Sequence, residues 1–280
     1  MTYPEPSYAT VLTDSQPHQQ PKSTRLITME LHYPRIIHGE FMTHRSHSRN
    51  AGSSRAIPFL TSLKRMEHSP FVFKHWGRNQ SGMQASRDIS PEDQEKAEAI
   101  WLEWFKVGTE YAKKLNDLGL HKQVCNRGLE PWSYITVIAT SNARGWRHFL
   151  SLRDHGDAEP HFRDLAKMIG EAITCSNPKV LNFGDWHLPM ITRKDREEFP
   201  DVKDLAKISV GRCARVSYLT HHGIRDPQED IGLHDRLVKS RHWSPFEHVA
   251  RYAEGQNGQS GNLGLPWIQY RKTFPLEFTF

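Results

Sequence analysis

Cysteine is scarce. The three residues present among 280, Cys125, Cys175 and Cys213, are odd in number and far apart, which argues against a disulfide framework and against a paired-cysteine zinc site. No run of 18 apolar residues occurs, so no segment reads as a membrane-spanning helix. The opening residues Met1-Thr2-Tyr3-Pro4-Glu5-Pro6 lack the charged and apolar regions of a secretion signal, and a cytoplasmic setting is expected. Histidine is abundant at 17 residues, but His44/His47, His155/His161 and His221/His222 fit neither an HExxH helix nor a facial-triad spacing. No metal is expected. Long blocks of one charge sign are missing as well, because 37 Lys and Arg are interleaved with 32 Asp and Glu for a net charge of +5. That excess favours an anionic partner of nucleotide size over a nucleic acid, which calls for basic residues gathered on one face. No membrane partner is expected.

Apolar residues make up 37% of the chain, low but sufficient for a core. Residues 1–24 are rich in Pro, Gln, Ser and Thr and read as a flexible N-terminal tail, with residues 25–280 as a single domain. From Leu26 the alternation Ile27, Met29, Leu31, Tyr33 predicts a half-buried strand running on to Met42. A short helix follows Ile57-Pro58, and Glu67 to Ser90 reads as an irregular segment covering a site. Ser90, Pro91, Glu92 and Asp93 then open a long helix ending at Gly119, whose stripe of Ala97, Ile100, Trp101, Trp104, Phe105, Tyr111, Leu115 and Leu118 marks a core or interface helix. A second long helix is expected from Pro131 to Arg153, with Asn142 and Arg153 on one face, and further helices through Phe162 to Ile169 and from Pro227 to Lys239. Residues 176–200 read as a long functional loop in which Trp186 and His187 could stack on a pterin or flavin ring.

The stretch from Phe41 to Pro58 holds arginines, serines and an asparagine among small residues, which is what binding a phosphorylated planar molecule requires. Its Thr43-His44-Arg45-x-x-Ser48-x-Asn50-x-x-Ser53-x-Arg55 resembles the Arg-His-Arg-x-x-Ser-x-Asn-x-x-Ser-x-Arg motif of flavin-dependent thymidylate synthases, departing only at Thr43. Pro34 stands where that family has a proline. A second resemblance runs from Asn142-x-Arg144 through Phe149-Leu150-x-Leu152-Arg153 to Ala158-Glu159. A third joins Ala214-Arg215-Val216-Ser217-Tyr218 to His242-Trp243-Ser244-Pro245-Phe246-Glu247-His248. In the family this third set comes first, so the motif order resembles a circular permutation.

The resemblance implies an α+β flavin-dependent thymidylate synthase-like fold, a mixed or antiparallel sheet with long helices. It also implies a homotetramer with active sites between subunits, converting dUMP to dTMP with methylenetetrahydrofolate as carbon donor and NADPH as reductant through FAD. By the same likeness Arg153 is the catalytic arginine held against the pyrimidine. Ser53, Ser54 and Arg55, with Arg127, would hold the phosphate, and Glu40 would face the nucleotide where the family has a glutamine. Flavin contacts would fall to His44, Arg45, Ser46, Asn142, Arg144, His148, Ser217, Ser244 and Glu247, with His242 near the folate. Arg271 is a candidate replacement for the arginine missing at position 43. Thr43 and Glu40 leave two alternatives open: a C5-hydroxymethylase or related pyrimidine-modifying flavoenzyme taking dUMP or UMP, and a non-catalytic nucleotide- or nucleic-acid-binding protein on the same fold.

Overall fold

The computed structural model describes residues 7–85, 87–220, 223, 226–254 and 258–275; His221 and His222 lie outside the described residues. The fold is built on strand β2 (Leu26–Pro34), all nine residues of which are buried. It pairs antiparallel with β1 (Tyr8–Pro17) on one side and β4 (Tyr134–Asn142) on the other. β3 (Ser48–Ala51) lies antiparallel to β4 and β5 (Lys179–Leu181) parallel to β1, giving a mixed sheet in the order β3-β4-β2-β1-β5. Ile27, Met29, Leu31 and Tyr33 point to one face, where helices α5 (Ala143–Arg153) and α6 (Pro160–Cys175) cover them with Trp146, Phe149, Phe162, Leu165 and Ile169. This is an α+β fold with its helices laid over a mixed sheet.

Three sequence expectations change here. The strand is buried on both faces, because the alternating polar residues find partners inside: Thr28 bonds Thr140 and His187, and His32 bonds Thr136. It ends at Pro34 instead of reaching Met42, and the chain continues through a 3₁₀ turn at 35–37 into α1 (His38–Phe41). A proline cannot donate to the ladder and closes the strand. Tyr8–Pro17, expected within the flexible tail, forms β1. Its polar residues are satisfied rather than solvated, Asp14 by Arg25 and Ser176, and Ser15 by His187.

The helix expected from Pro131 to Arg153 is two elements. Ile135-Thr136-Val137-Ile138 is β-branched throughout and takes the strand that completes the β2 ladder. Asn142 then caps α5, its Oδ1 accepting from Gly145 N at 2.8 Å. Asn142 and Arg153 therefore do not share a helix face.

α3 (Pro91–Asp117) follows its expectation, with Ser90 Oγ accepting from Asp93 N. Its inner face packs Phe105 and Ala112 against Phe59 and Leu63 of α2 (Phe59–His68) and against Leu129 and Trp132, which follow α4 (Lys122–Cys125). Its outer face leaves Ile100, Trp104, Tyr111, Leu115 and Leu118 exposed.

The C-terminal third adds an antiparallel sheet of β6 (Trp186–His187), β7 (Ala250–Tyr252) and β8 (Trp267–Gln269), with helices α7 (Arg193–Glu198), α8 (Val202–Arg215) and α9 (Pro227–Lys239). The expected loop at 176–200 is thus partly structured. His187 cannot stack on a ligand, since it is fully buried with its ring nitrogens bonded to Thr28 and Ser15. α8 and α9 cross closely at Gly211, where a Cβ would come 2.5 Å from the Asp230 carbonyl oxygen. Beside it, buried Arg212 binds Asp195 through two nitrogens and Asp230 through Nε, and Arg215 takes the other Asp230 oxygen. Burial pushes Asp195 up, but bonds from Arg212 and Thr192 outweigh it and hold the carboxyl well below its usual range. Among the described residues no helix is long and apolar enough to cross a membrane.

Candidate functional site

The segment between α1 and β3 is folded around Arg49. Its Nη1 donates to the Met42 carbonyl at 3.1 Å and the His44 carbonyl at 2.9 Å, while Thr43 Oγ1 donates back to Glu40 O. Ser46 O receives Ser141 Oγ at 3.0 Å and Asn262 Nδ2 at 3.2 Å. The loop can lie this close to α5 because position 145 is glycine. A Cβ there would fall 2.1 Å from Ser141 Oγ and 3.3 Å from Ser46 Oγ.

Glu40, His44 and Arg153 meet at the end of α5. Arg153 Nε donates to His44 Nε2 at 2.9 Å and Nη1 to Glu40 Oε2 at 3.0 Å, with the guanidinium 4.6 Å from the centre of the Phe162 ring. Since arginine only donates, His44 Nε2 is the acceptor and the ring proton sits on Nδ1. Burial pushes His44 down to about 4, with the positive charge of Arg153, His148 and Arg49 adding to it. His44 is therefore neutral at pH 7. The arginine is fixed by two bonds, and its charge is partly offset by Glu40.

Around this cluster Arg45, Arg144 and His148 are exposed, and Arg144 and His148 stand one helical turn apart on α5. None of the three is ion-paired within the described residues. They suit the diphosphate of a dinucleotide cofactor, which asks for uncommitted hydrogen-bond donors, of which the two arginines are also cations. Asn142 suits it less: its Oδ1 caps α5 and its Nδ2 donates to Leu263 O at 2.7 Å.

The C-terminal motif folds back onto β3. Asn50 Nδ2 donates to Cys213 O at 2.7 Å, and Ser244 Oγ lies 3.5 Å from Asn50 Oδ1 and from His242 Nε2. Glu247 is ion-paired with Arg271, the residue read as a stand-in for a cation at position 43. Ser53 N donates to Ser217 O at 3.1 Å. Two residues outside every motif tie these pieces together. Gln269 Nε2 donates to Asn262 Oδ1 at 2.9 Å and to Glu247 O at 3.2 Å, and Ser48 Oγ also donates to Asn262. The motifs are thus adjacent in space although they lie at opposite ends of the chain.

Ser53, Ser54 and Arg55 stand elsewhere. Ser53 Oγ accepts from Arg55 N at 3.2 Å, Arg55 is exposed, and Ser54 lines a cleft with Arg35, Arg65, His32 and Tyr134. This cleft opens on the polar face of β2 and β4, opposite the aromatic face on which Arg153 packs. One protomer therefore does not bring Arg153 and Ser53–Arg55 together. Arg127 is exposed, and its neighbour Asn126 makes the contact to the loop, donating Nδ2 to Ser54 O at 2.8 Å and Ile57 O at 3.0 Å. Asn126 is buried and its Oδ1 has no partner among the described residues. No signal in the sequence separates Asn126 from Arg127 as the inward residue; only the turn of α4 decides it. Among the described residues no group of three or more His, Cys, Asp or Glu side chains could hold a metal ion.

The family model described as thymidylate synthase complementing protein, Thy1, matches residues 7–179. No curated protein matches the sequence significantly. Among solved structures, the UMP/dUMP methylase PolB from Streptomyces cacaoi bound with 5-Br UMP aligns with a TM-score of 0.50 and 18% identity, over 60% of this chain and 88% of that one. The same methylase with 5-Br dUMP gives 0.47 and 21%, over 56% and 70%. Thymidylate synthase X from Helicobacter pylori with FAD and dUMP gives 0.39 and 19%, over 54% and 68%. At these identities the likeness speaks for the fold alone.

Proposed function

The chain belongs to the thymidylate synthase complementing protein family, and from that premise we propose that it is a flavoenzyme methylating C5 of a uridine monophosphate, dUMP to dTMP. Methylenetetrahydrofolate would supply the carbon and NADPH the reducing equivalents. FAD, when bound, supplies hydride chemistry; Arg45, Arg144 and His148 would hold its diphosphate. The observation that carries this reading is the fixed guanidinium of Arg153, seated on Phe162 and anchored by neutral His44 and by Glu40. A positioned cation of this kind stabilises negative charge developing on a pyrimidine ring as C5 becomes nucleophilic. Ser53, Ser54 and Arg55 would grip the phosphate with hydroxyl, main-chain and guanidinium donors. Because those groups and Arg153 occupy opposite faces of one sheet, a complete site draws them from two copies, in keeping with a homotetramer.

A second reading is favoured by Glu40. Its carboxylate already occupies one Arg153 nitrogen, and position 43 carries a hydroxyl turned onto Glu40 O instead of a cation. Less positive charge at the pyrimidine suits a different product or a ribose-bearing substrate, so a C5-hydroxymethylase, or turnover of UMP beside dUMP, is the alternative. Purified protein titrated with FAD and then with dUMP or UMP tests the assignment. Flavin absorbance that persists on gel filtration and is perturbed by dUMP supports the proposal, with Arg153→Ala keeping the flavin but losing the dUMP response. Protein that retains no flavin and binds nucleotide all the same would point to a binding module.

A further inference from the structure

The outer face of α3 has no role in the site described above. Ile100 and Trp104 are 65% and 59% exposed, Val107 and Tyr111 44% and 61%, and Leu118 77%. With Leu115 they form a continuous stripe about 30 Å long at 1.5 Å per residue, narrow enough at 100° per residue to be one seam rather than scattered surface apolar residues. Monomeric proteins rarely leave an apolar seam of this size to water.

Two features of the stripe identify the partner. The first is symmetry. Read outward from the midpoint between Val107 and Gly108, the positions match in both directions: Trp104 is mirrored by Tyr111, Ile100 by Leu115 and Ala97 by Leu118. An antiparallel copy laid on the stripe meets an apolar residue at each of these layers, which is the requirement for a two-fold, isologous contact. The second is charge. On the N-terminal side of that midpoint the helix carries Glu92, Asp93, Glu95, Glu98 and Glu103 against Lys96 and Lys106, and on the C-terminal side Lys113 and Lys114 against Glu110 and Asp117. Antiparallel pairing sets the acidic side of each helix beside the balanced side of the other, which carries Lys113 and Lys114, whereas parallel pairing sets acid on acid. Glu103 and Lys114 lie on the same flank of the stripe and come within a turn of each other across that axis.

We propose that α3 pairs antiparallel with the α3 of a second copy of this chain, Trp104 packing on Tyr111 of its mate around a two-fold axis between Val107 and Gly108. This contact is separate from any that would unite Arg153 with Ser53–Arg55, so it does not depend on the proposed reaction.

The test is sedimentation velocity on the full chain over a concentration series, with Trp104→Glu/Tyr111→Glu beside the wild type and circular dichroism to confirm that both are folded. The wild type is expected as an even-numbered assembly and the double variant at half its mass. A disulfide probe keeps the question open should the charged variant misfold: Val107→Cys in a Cys175→Ser background stands next to the axis, close to its own symmetry mate, and should form covalent dimers far faster than Met83→Cys, on a solvent-exposed segment. A monomeric wild type, a double variant of unchanged mass, or equal crosslinking of the two cysteine variants would overturn the proposal.

Discussion

Glu40→Gln separates the charge of residue 40 from its hydrogen bonding. The amide oxygen still accepts from Arg153 Nη1, but the negative charge 3.0 Å from the guanidinium is gone. For stability the change is small: the side chains are 43% and 21% exposed, so solvent screens the pair, and such pairs contribute about 0.2–1 kcal/mol. For binding it is larger. A hydrogen bond from a charged group contributes about 1.5–3 kcal/mol, and in the wild type Glu40 competes for the donor and repels a dianionic nucleotide. Recovering about 1 kcal/mol of that interaction lowers KM for dUMP roughly five-fold, at 1.4 kcal/mol per factor of ten. The assay is steady-state kinetics with dUMP at saturating cofactors, alongside a thermal melt. A KM that rises ten-fold with an unchanged melt would mean the nucleotide needs the Glu40 carboxylate itself, and the competition argument would be wrong.

Other consequences can be checked independently. Gly145→Ala places a methyl group on Ser141 Oγ and against Ser46; overpacking of this kind costs about 1–3 kcal/mol, and flavin retention should fall while the nucleotide cleft at Ser54 keeps its affinity, with equal loss of both contradicting the placement of the loop. Asp230→Ala removes the acceptor shared by Arg212 Nε and Arg215 Nε, Arg212 keeping Asp195, and should cost about 1.5–3 kcal/mol in urea unfolding, the contribution of hydrogen bonds to a charged group; a loss below about 0.5 kcal/mol would show the network to be solvated. The pH dependence of stability follows from His187 and His248, both fully buried, which burial pushes down to about 3 from 6.5. Their folded values lie below the unfolded ones, so the unfolded chain takes up protons first. Stability is complete above about pH 6.5 and falls toward pH 3 by at most about 1.4 kcal/mol per unit for each histidine. Urea midpoints at pH 7, 6 and 5 measure this, and a flat series would refute it.

Much of the architecture was legible where one physical signal dominated. Ser90-Pro91-Glu92-Asp93 combines a cap, a first-turn proline and acids against the helix dipole, and α3 begins at Pro91. α9 runs over the expected Pro227–Lys239. The misreadings share a cause in tertiary context. β4 was hidden because Pro131 and a helical pattern downstream outweighed a β-branched run that gains its stability only by pairing with β2. β1 was hidden because Asp14, Ser15 and Gln16 look like a solvated tail until Arg25, Ser176 and His187 are placed around them. In the site, likeness to the motifs of flavin-dependent thymidylate synthases pointed to His44, Glu40 and Arg153, and the fold brings the three side chains together. Asn262 and Gln269 carried no sequence signal, since their function is to bridge main-chain and side-chain groups from distant segments. Asn142 shows the converse: a residue whose motif implies a ligand contact is already spent as a helix cap.

The most direct test of the proposed reaction is the mass of the nucleotide formed when the protein, FAD, NADPH, methylenetetrahydrofolate and dUMP are combined without oxygen. A product one methylene unit heavier than dUMP and identical to dTMP is the predicted result. Unaltered dUMP from protein that has bound flavin and nucleotide would contradict it.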